Sequence, residues 1–364
     1  MKSEKIGIVT IHTDFNYGAV LQAIATQKIF EINGYDAEII DYRNKFIDQQ
    51  SKIMYKQDNK IKGYLITLIR NTIFGRYHYY KKAIKDLDLY RKKSFKRYYT
   101  ISDLNNTNYD ILVAGSDQLW NPVISNGIDP VFLLDFGKPK KRISIATSMG
   151  SYRLKENDLN VFKDSLKKFS SISVREKHAI NQLQPLVSTK IKEILDPTLL
   201  LNPQTWIDDY AKKSKYYKIN EKYILTYFVG GEKSKYKSKI TKYAKKLGLP
   251  VWSIQYSNYN WKEINKKILG ASVIDFIALI KNASVILTDS FHGVAFSVNL
   301  GKDFVALTNT QNPIRVKEFL EKLDLDNRID MDPEDFKMIN YIEVNKKLLK
   351  MRNDSLKWIF ESIK

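Results

Sequence analysis

The sequence predicts an α/β protein of two domains, each a parallel sheet covered by helices. Three observations carry that reading. The first forty residues spell strand, helix, strand, the unit of a parallel sheet. A second alternating series begins near Tyr223 and runs to Leu307. The chain has 364 residues, 43% of them hydrophobic, which suffices for two cores of about 150 residues each and is too apolar for a disordered chain.

Taken in order, Ile6 to Ile11 reads as a short buried strand, and the loop His12 to Gly18 leads into Ala19 to Glu31, whose apolar residues recur at helical spacing until Gly34 ends the helix. Asp36 to Tyr42 is the second strand, and Ile111 to Ala114 and Ile143 to Thr147 continue the series. Between strands two and three lies a long insert, about residues 45–100, expected to be helical, with the apolar stretch Gly63 to Ile69 and the basic run Lys81 to Arg97. Ile172 to Val174 is another strand, followed by a helix that Pro185 breaks, and Lys190 to Leu201 carries one more. The first domain is therefore drawn at residues 1–188. The second, at 189–330, takes the strand from Tyr223, a Lys-rich helix to Gly248, the strand from Val251, a helix from Val273, the strand Val285 to Leu287, a helix through Leu300 and the strand from Phe304. Residues 331–364 form a helical tail, amphipathic from Ile342 to Ile363, expected to pack across the domain junction.

The 60 Lys and Arg against 40 Asp and Glu leave a formal charge of +20, which points to an anionic substrate, an anionic membrane surface or nucleic acid. The absence of cysteine excludes disulfides, thiolate nucleophiles and Cys-ligated metal. Only His12, His78, His178 and His292 remain as imidazoles, so no metal site is expected. The charged start Met1 to Lys5 runs into too short an apolar segment for a signal peptide, and no stretch approaches the roughly 18 apolar residues of a spanning helix. A cytoplasmic protein is expected, with any membrane contact peripheral.

In open α/β sheets ligands sit beyond the carboxyl ends of the strands, where helix N-termini attract anions. Three motifs occupy such positions. After strand one, Asn16 caps a helix and Gly18 lets the backbone approach a ligand, with Tyr17 between them. After Ala114 comes Gly115-Ser116-Asp117-Gln118-Leu119-Trp120, a convergence of polar residues that a plain turn does not need. The sharpest is Thr288-Asp289-Ser290-Phe291-His292-Gly293, where His292 at a helix start suits a general acid or base and Ser290 suits an anion. Arg175, directly after a strand, can fork onto a carboxylate or phosphate, or pair with Glu176 or another acid.

The motifs NYGAVLQ (16–22), EIIDYR (38–43), AGSDQLWNP (114–122), SVREK (173–177), LDPTLLL (195–201) and TDSFHGVAF (288–296) together resemble the polysaccharide pyruvyl transferases. The resemblance implies two Rossmann-like domains in a glycosyltransferase-B-like arrangement, with a helical insert in the first and the site in the interdomain cleft. It implies phosphoenolpyruvate as donor, no cofactor, and a sugar of a lipid-linked or polymeric surface-glycan precursor as acceptor, met by peripheral contact at the inner membrane face. His292 would handle protons; Arg175, Ser290, Asp289, Asn16, Tyr17, Gly18, Ser116, Asp117 and Gln118 would hold the substrates. Some members carry Arg where this chain has Ser290, so the second half of an anion clamp is expected from Arg315 or, failing that, Arg328. The alternative is a transferase of the same architecture that uses a nucleotide sugar or another anionic donor. Nucleic acid is the least favoured partner, since no recognition motif for it emerges.

Overall fold

The computed structural model describes residues 4–13, 16–50, 92–94, 96–230, 233–255, 261–308 and 313–364. Four parallel strands open the chain: β1 (Lys5–Val9), β2 (Asp36–Ile39), β3 (Ile111–Ala114) and β4 (Lys141–Ser144), ordered β2-β1-β3-β4. Bridges Ile143 to Ser171 and Thr147 to Val174 pass the sheet on to β5 (Ile172–Val174), which pairs in parallel with β6 (Ile191–Glu193). The inner strands β3 and β5 are short and almost wholly apolar because both faces are covered. The covering helices are α1 (Tyr17–Glu31), α2 (Lys45–Gln50), α3 (Ile101–Leu104), α4 (Pro122–Ser125), α5 (Glu156–Leu166) and α6 (Lys177–Leu183). Thr100 caps α3 with a reciprocal bond to Asp103, and Asn121 caps α4 ahead of Pro122.

After two short helices, α7 (Pro197–Leu200) and α8 (Pro203–Asp209), the second sheet gathers β7 (Ile224–Tyr227), β8 (Val251–Gln255), β9 (Lys266–Leu269), β10 (Val285–Thr288) and β11 (Asp303–Ala306). Its order, β11-β10-β7-β8-β9, is all parallel and is that of a Rossmann half. Helices α9 (Lys237–Leu247), α10 (Val273–Asn282), α11 (Phe291–Asn299), α12 (Pro313–Glu321) and α13 (Tyr341–Ile363) complete the domain and the tail. Two Rossmann-like sheets face one another in the glycosyltransferase-B-like arrangement expected from the sequence.

Each sheet has one point where its strand order reverses: between β1 and β3 in the first, between β7 and β10 in the second. The junction between domains is packed rather than hollow. Helix α1 is buried on nearly every side, and one hydrophobic cluster runs from Ile6, Ile8 and Ile111 through Tyr17 and Leu21 to Leu225, Phe276 and Ile286. The Tyr17 ring stacks on Phe276 at 4.9 Å, and its hydroxyl donates to the Ala271 carbonyl at 2.8 Å. The tail starts on the second domain, where the Tyr341 hydroxyl donates to the Lys302 carbonyl at 2.5 Å, and ends on the first, where Phe360 stacks on Tyr35 at 6.2 Å.

Three readings change. Residues Lys93 and Tyr98 bridge in parallel to Ile39 and Tyr42, so the end of the insert lies extended along β2 instead of forming a helix; most of the insert, with Gly63 to Ile69 and much of the basic run, lies outside the described residues. The first sheet continues past residue 188, because β6 needs β5 as its partner. Strand β9 escaped notice because its burial is broken by exposed Lys266 and Leu269, as befits an edge. Among the described residues no helix is long and apolar enough to cross a membrane.

Phe276 is 0% exposed and touches rings from both domains. Phe276→Ala is expected to cost about 3–5 kcal/mol of stability, read as a lowered urea midpoint.

Candidate functional site

The loops after β1 and β3 in one domain, and after β10 in the other, meet at the two reversal points. Helix α11 starts there because Ser290 caps it, its Oγ accepting from the Gly293 amide at 3.3 Å, while the Thr288 hydroxyl donates to the Tyr227 carbonyl at 2.6 Å and accepts from the Ser290 amide at 3.1 Å. This turn sets His292, 4% exposed, directly against Gly18 of the opposite domain. A Cβ at residue 18 would lie 1.9 Å from His292 Nδ1, so glycine is required there for the imidazole to fit.

The centre of the cluster is Asp196, 1% exposed at the N-cap of α7. One carboxylate oxygen accepts from the Thr198 amide and hydroxyl at 2.9 and 2.6 Å. The other accepts from Ser116 Oγ at 3.0 Å and Arg175 Nη1 at 2.5 Å, and stands 3.6 Å from His292 Nε2. Burial alone would raise this carboxyl, but His292, Arg175 and Thr198 outweigh it and hold the group well below the usual carboxylate range.

Arg175 leaves β5 and Arg315 arrives on α12, and their guanidinium carbons stand 4.8 and 5.8 Å from the centre of the Phe291 ring. With Glu176, Asp196 and Phe291 they border a cavity of about 150 Å³ that extends to Met351 and Ser355 on α13. Burial, then the like charge of Arg175, lowers Arg315 to about 10. For Arg175 burial also opposes the charge, but Asp196, Glu176 and Asp117 more than offset it. Among the described residues Arg175 Nε and Nη2, Arg315 Nε, His292 Nε2 and Glu176 Oε2 are buried and have no hydrogen-bond partner. Native interiors rarely strand so many polar atoms in one place unless a ligand answers them.

The other expected residues divide. Asn16 caps α1 through Gly18, Ser116 is bonded to Asp196, and Asp117 sits beside both arginines with a left-handed φ of 84°, a conformation that stores strain at the loop. Gln118 instead holds the Asn121 side chain at 2.9 Å, and Tyr17 is committed to the domain junction. Asp289 points to the loop after β7, accepting from the Val229 and Gly230 amides at 2.7 and 3.0 Å. Of the two arginines put forward as replacements, Arg315 lies at the cavity; Arg328 donates to the Lys337 carbonyl at 2.6 Å and packs over Phe336. His12 is held between the Thr10 carbonyl and Asp41, at 2.8 and 3.2 Å. Asp196 and Glu176 were not singled out as site residues, although the Asp-Pro-Thr helix start and the acid beside Arg175 at a strand end were the available signals. Among the described residues no group of three or more His, Asp or Glu side chains is placed to hold a metal.

A family model described as polysaccharide pyruvyl transferase matches residues 16–311. No curated protein matches the chain. Among solved structures, the UDP-GlcNAc 2-epimerase from Neisseria meningitidis, bound to UDP-GlcNAc, is 11% identical with a TM-score of 0.51, covering 99% of each chain. The Methanocaldococcus jannaschii UDP-GlcNAc 2-epimerase in complex with UDP-GlcNAc and UDP is 14% identical with a TM-score of 0.50, covering 99% of this chain and 98% of that one. These likenesses show a shared fold.

Two outcomes are expected. Gly18→Ala displaces the His292 ring, seen as a shift of its imidazole NMR signals, and costs about 1–3 kcal/mol of stability, read as a lowered urea midpoint. Asp196→Asn leaves Arg175 buried without its anion and costs about 3–5 kcal/mol near neutral pH. Because the native carboxyl is depressed, that stabilisation is complete above the unfolded carboxyl's pKa of about 4 and is lost as pH falls below it, so the gap between wild type and variant narrows in acid.

Proposed function

Because the chain belongs to the polysaccharide pyruvyl transferase family, we propose that this transferase moves pyruvate from phosphoenolpyruvate onto two hydroxyls of one sugar in a surface-glycan precursor, forming a cyclic ketal and releasing phosphate. The observation that carries the donor assignment is the set of unpartnered, buried N–H groups on Arg175 and Arg315 around one small cavity. Two guanidiniums that each lie within 6 Å of the same aromatic ring suit a small molecule with two anionic ends, a carboxylate and a phosphate. Asp196 orients Arg175 and balances its charge, leaving Nε and Nη2 free for the donor.

His292 Nε2, 3.6 Å from the Asp196 carboxylate, takes the proton from the attacking acceptor hydroxyl. Ser290 stays with the Gly293 amide as a cap, so Arg315 serves in its place as the second cation. The acceptor reaches the cavity from the cytoplasmic face of the membrane. The exposed lysines of α9 and its approach, Lys235, Lys242 and Lys245, offer an attractive surface to anionic headgroups there.

Phosphate release from phosphoenolpyruvate that begins only when acceptor glycan is added, with a methyl ketal signal in the product NMR spectrum, is the expected result. His292→Ala lowers kcat by about 10²-fold or more, and Arg315→Ala raises KM for phosphoenolpyruvate. Arg175→Lys, which keeps the charge but loses the fork, does both. Sugar transfer from a nucleotide sugar, with no phosphate released from phosphoenolpyruvate across a broad acceptor panel, would overturn the assignment.

A further inference from the structure

Glu176 is not used in that reaction, yet it is 1% exposed and borders the cavity beside both arginines. Its two oxygens have different surroundings. Oε1 accepts from the Ser148 hydroxyl, which is itself fixed by the Gly150 amide at 3.0 Å. Oε2 is buried without a partner among the described residues. The neighbouring cation does not form a bonded pair with it: Arg175 Nε is 3.8 Å from Oε1, while Arg175 Nη1 is bonded to Asp196 at 2.5 Å. Asp196 has taken the guanidinium, and Glu176 is left with a hydroxyl.

A buried carboxyl with one stranded oxygen meets its hydrogen-bonding needs best as the neutral acid, whose O–H is then a donor at the edge of the cavity that Glu176 borders. The geometry points to Glu176 as the proton donor to the methylene carbon of the enolpyruvyl group, with His292 reserved for the acceptor hydroxyl. The inference rests on the donor assignment above. Burial raises the Glu176 carboxyl, and Arg175, Arg315, Ser148 and His178 only partly counter it. The charged groups around it are Arg175 at the end of β5, His178 on α6, Asp196 at the start of α7, and Arg315 and Glu318 on α12.

The proton account closes. In the first step the acceptor oxygen bonds to C2 as its proton passes to His292, and the C2–C3 π pair takes the Glu176 proton to make the methyl group. In the second step the other hydroxyl bonds to C2 and returns its proton to the Glu176 carboxylate. The C2–O bond to phosphate breaks, and the leaving phosphate takes the proton from His292. Both residues end as they began.

The test compares wild type, Glu176→Gln and Glu176→Asp. Phosphoenolpyruvate binding is measured by calorimetry, and kcat is followed across pH. The expected result is that Glu176→Gln binds phosphoenolpyruvate within about threefold of wild type while kcat falls by about 10²–10⁴-fold. Wild-type kcat falls as pH rises through the raised carboxyl, and Glu176→Asp keeps part of the rate and a high-pH limb of its own. Turnover by Glu176→Gln near the wild-type rate overturns the inference and leaves the donor assignment standing. Loss of phosphoenolpyruvate binding in Glu176→Gln also overturns it, since the residue then serves binding. Should Glu176→Gln fail to fold, a wild-type kcat without a high-pH limb is enough to overturn it. Failure of wild type to bind phosphoenolpyruvate removes both the donor assignment and the inference.

Discussion

A carboxylate removed from water must be answered by donors, and Asp196 is answered from several elements at once: Thr198 on its own helix, Ser116 after β3, Arg175 after β5, and His292 facing it from the second domain. Those elements come together in sequence order only because two parallel sheets bring their carboxyl ends to one place. The ion pair is expensive to desolvate and contributes little net stability, so its value lies in position. It holds one face of Arg175 and leaves the other face toward the cavity.

Much of this was legible in the sequence for a physical reason. Buried parallel strands are short apolar runs, and Asn16 marks the first helix start, so the alternation and the loops at the strand ends could be read from residue type and spacing alone. The His292 and Arg175 motifs followed from their place at those ends. What residue type does not encode is where a side chain is spent. Tyr17, Asp289 and Gln118 occupy the same kind of loop as Gly18 and Ser116, yet they hold a domain junction, a neighbouring loop and an Asn side chain. Glu176 looks in sequence like the partner of Arg175, and only three-dimensional distances show that Asp196 has displaced it. The edge strand β9 and the bridging residues Lys93 and Tyr98 were hidden by neighbouring exposed lysines, which read as helix surface or loop.

The charge of +20 separates into two kinds of cation. The arginines at the cavity are buried and directional, and their number is small. The lysines of α9 and its approach are largely solvated and act at long range, so their effect falls with ionic strength while that of the arginines persists.

The cavity has one wall from late in the chain: Met351, Asp354 and Ser355 on α13 border it, and Ser355 Oγ accepts from the Leu195 amide next to Asp196 at 3.1 Å. During synthesis the first domain can form its sheet and place Arg175 long before α13 exists. The pocket, however, stays open on that side until the helix has folded back from Lys302 to Tyr35. A nascent or truncated chain would therefore lack that wall, and the closure of the last helix is the event that encloses the cavity.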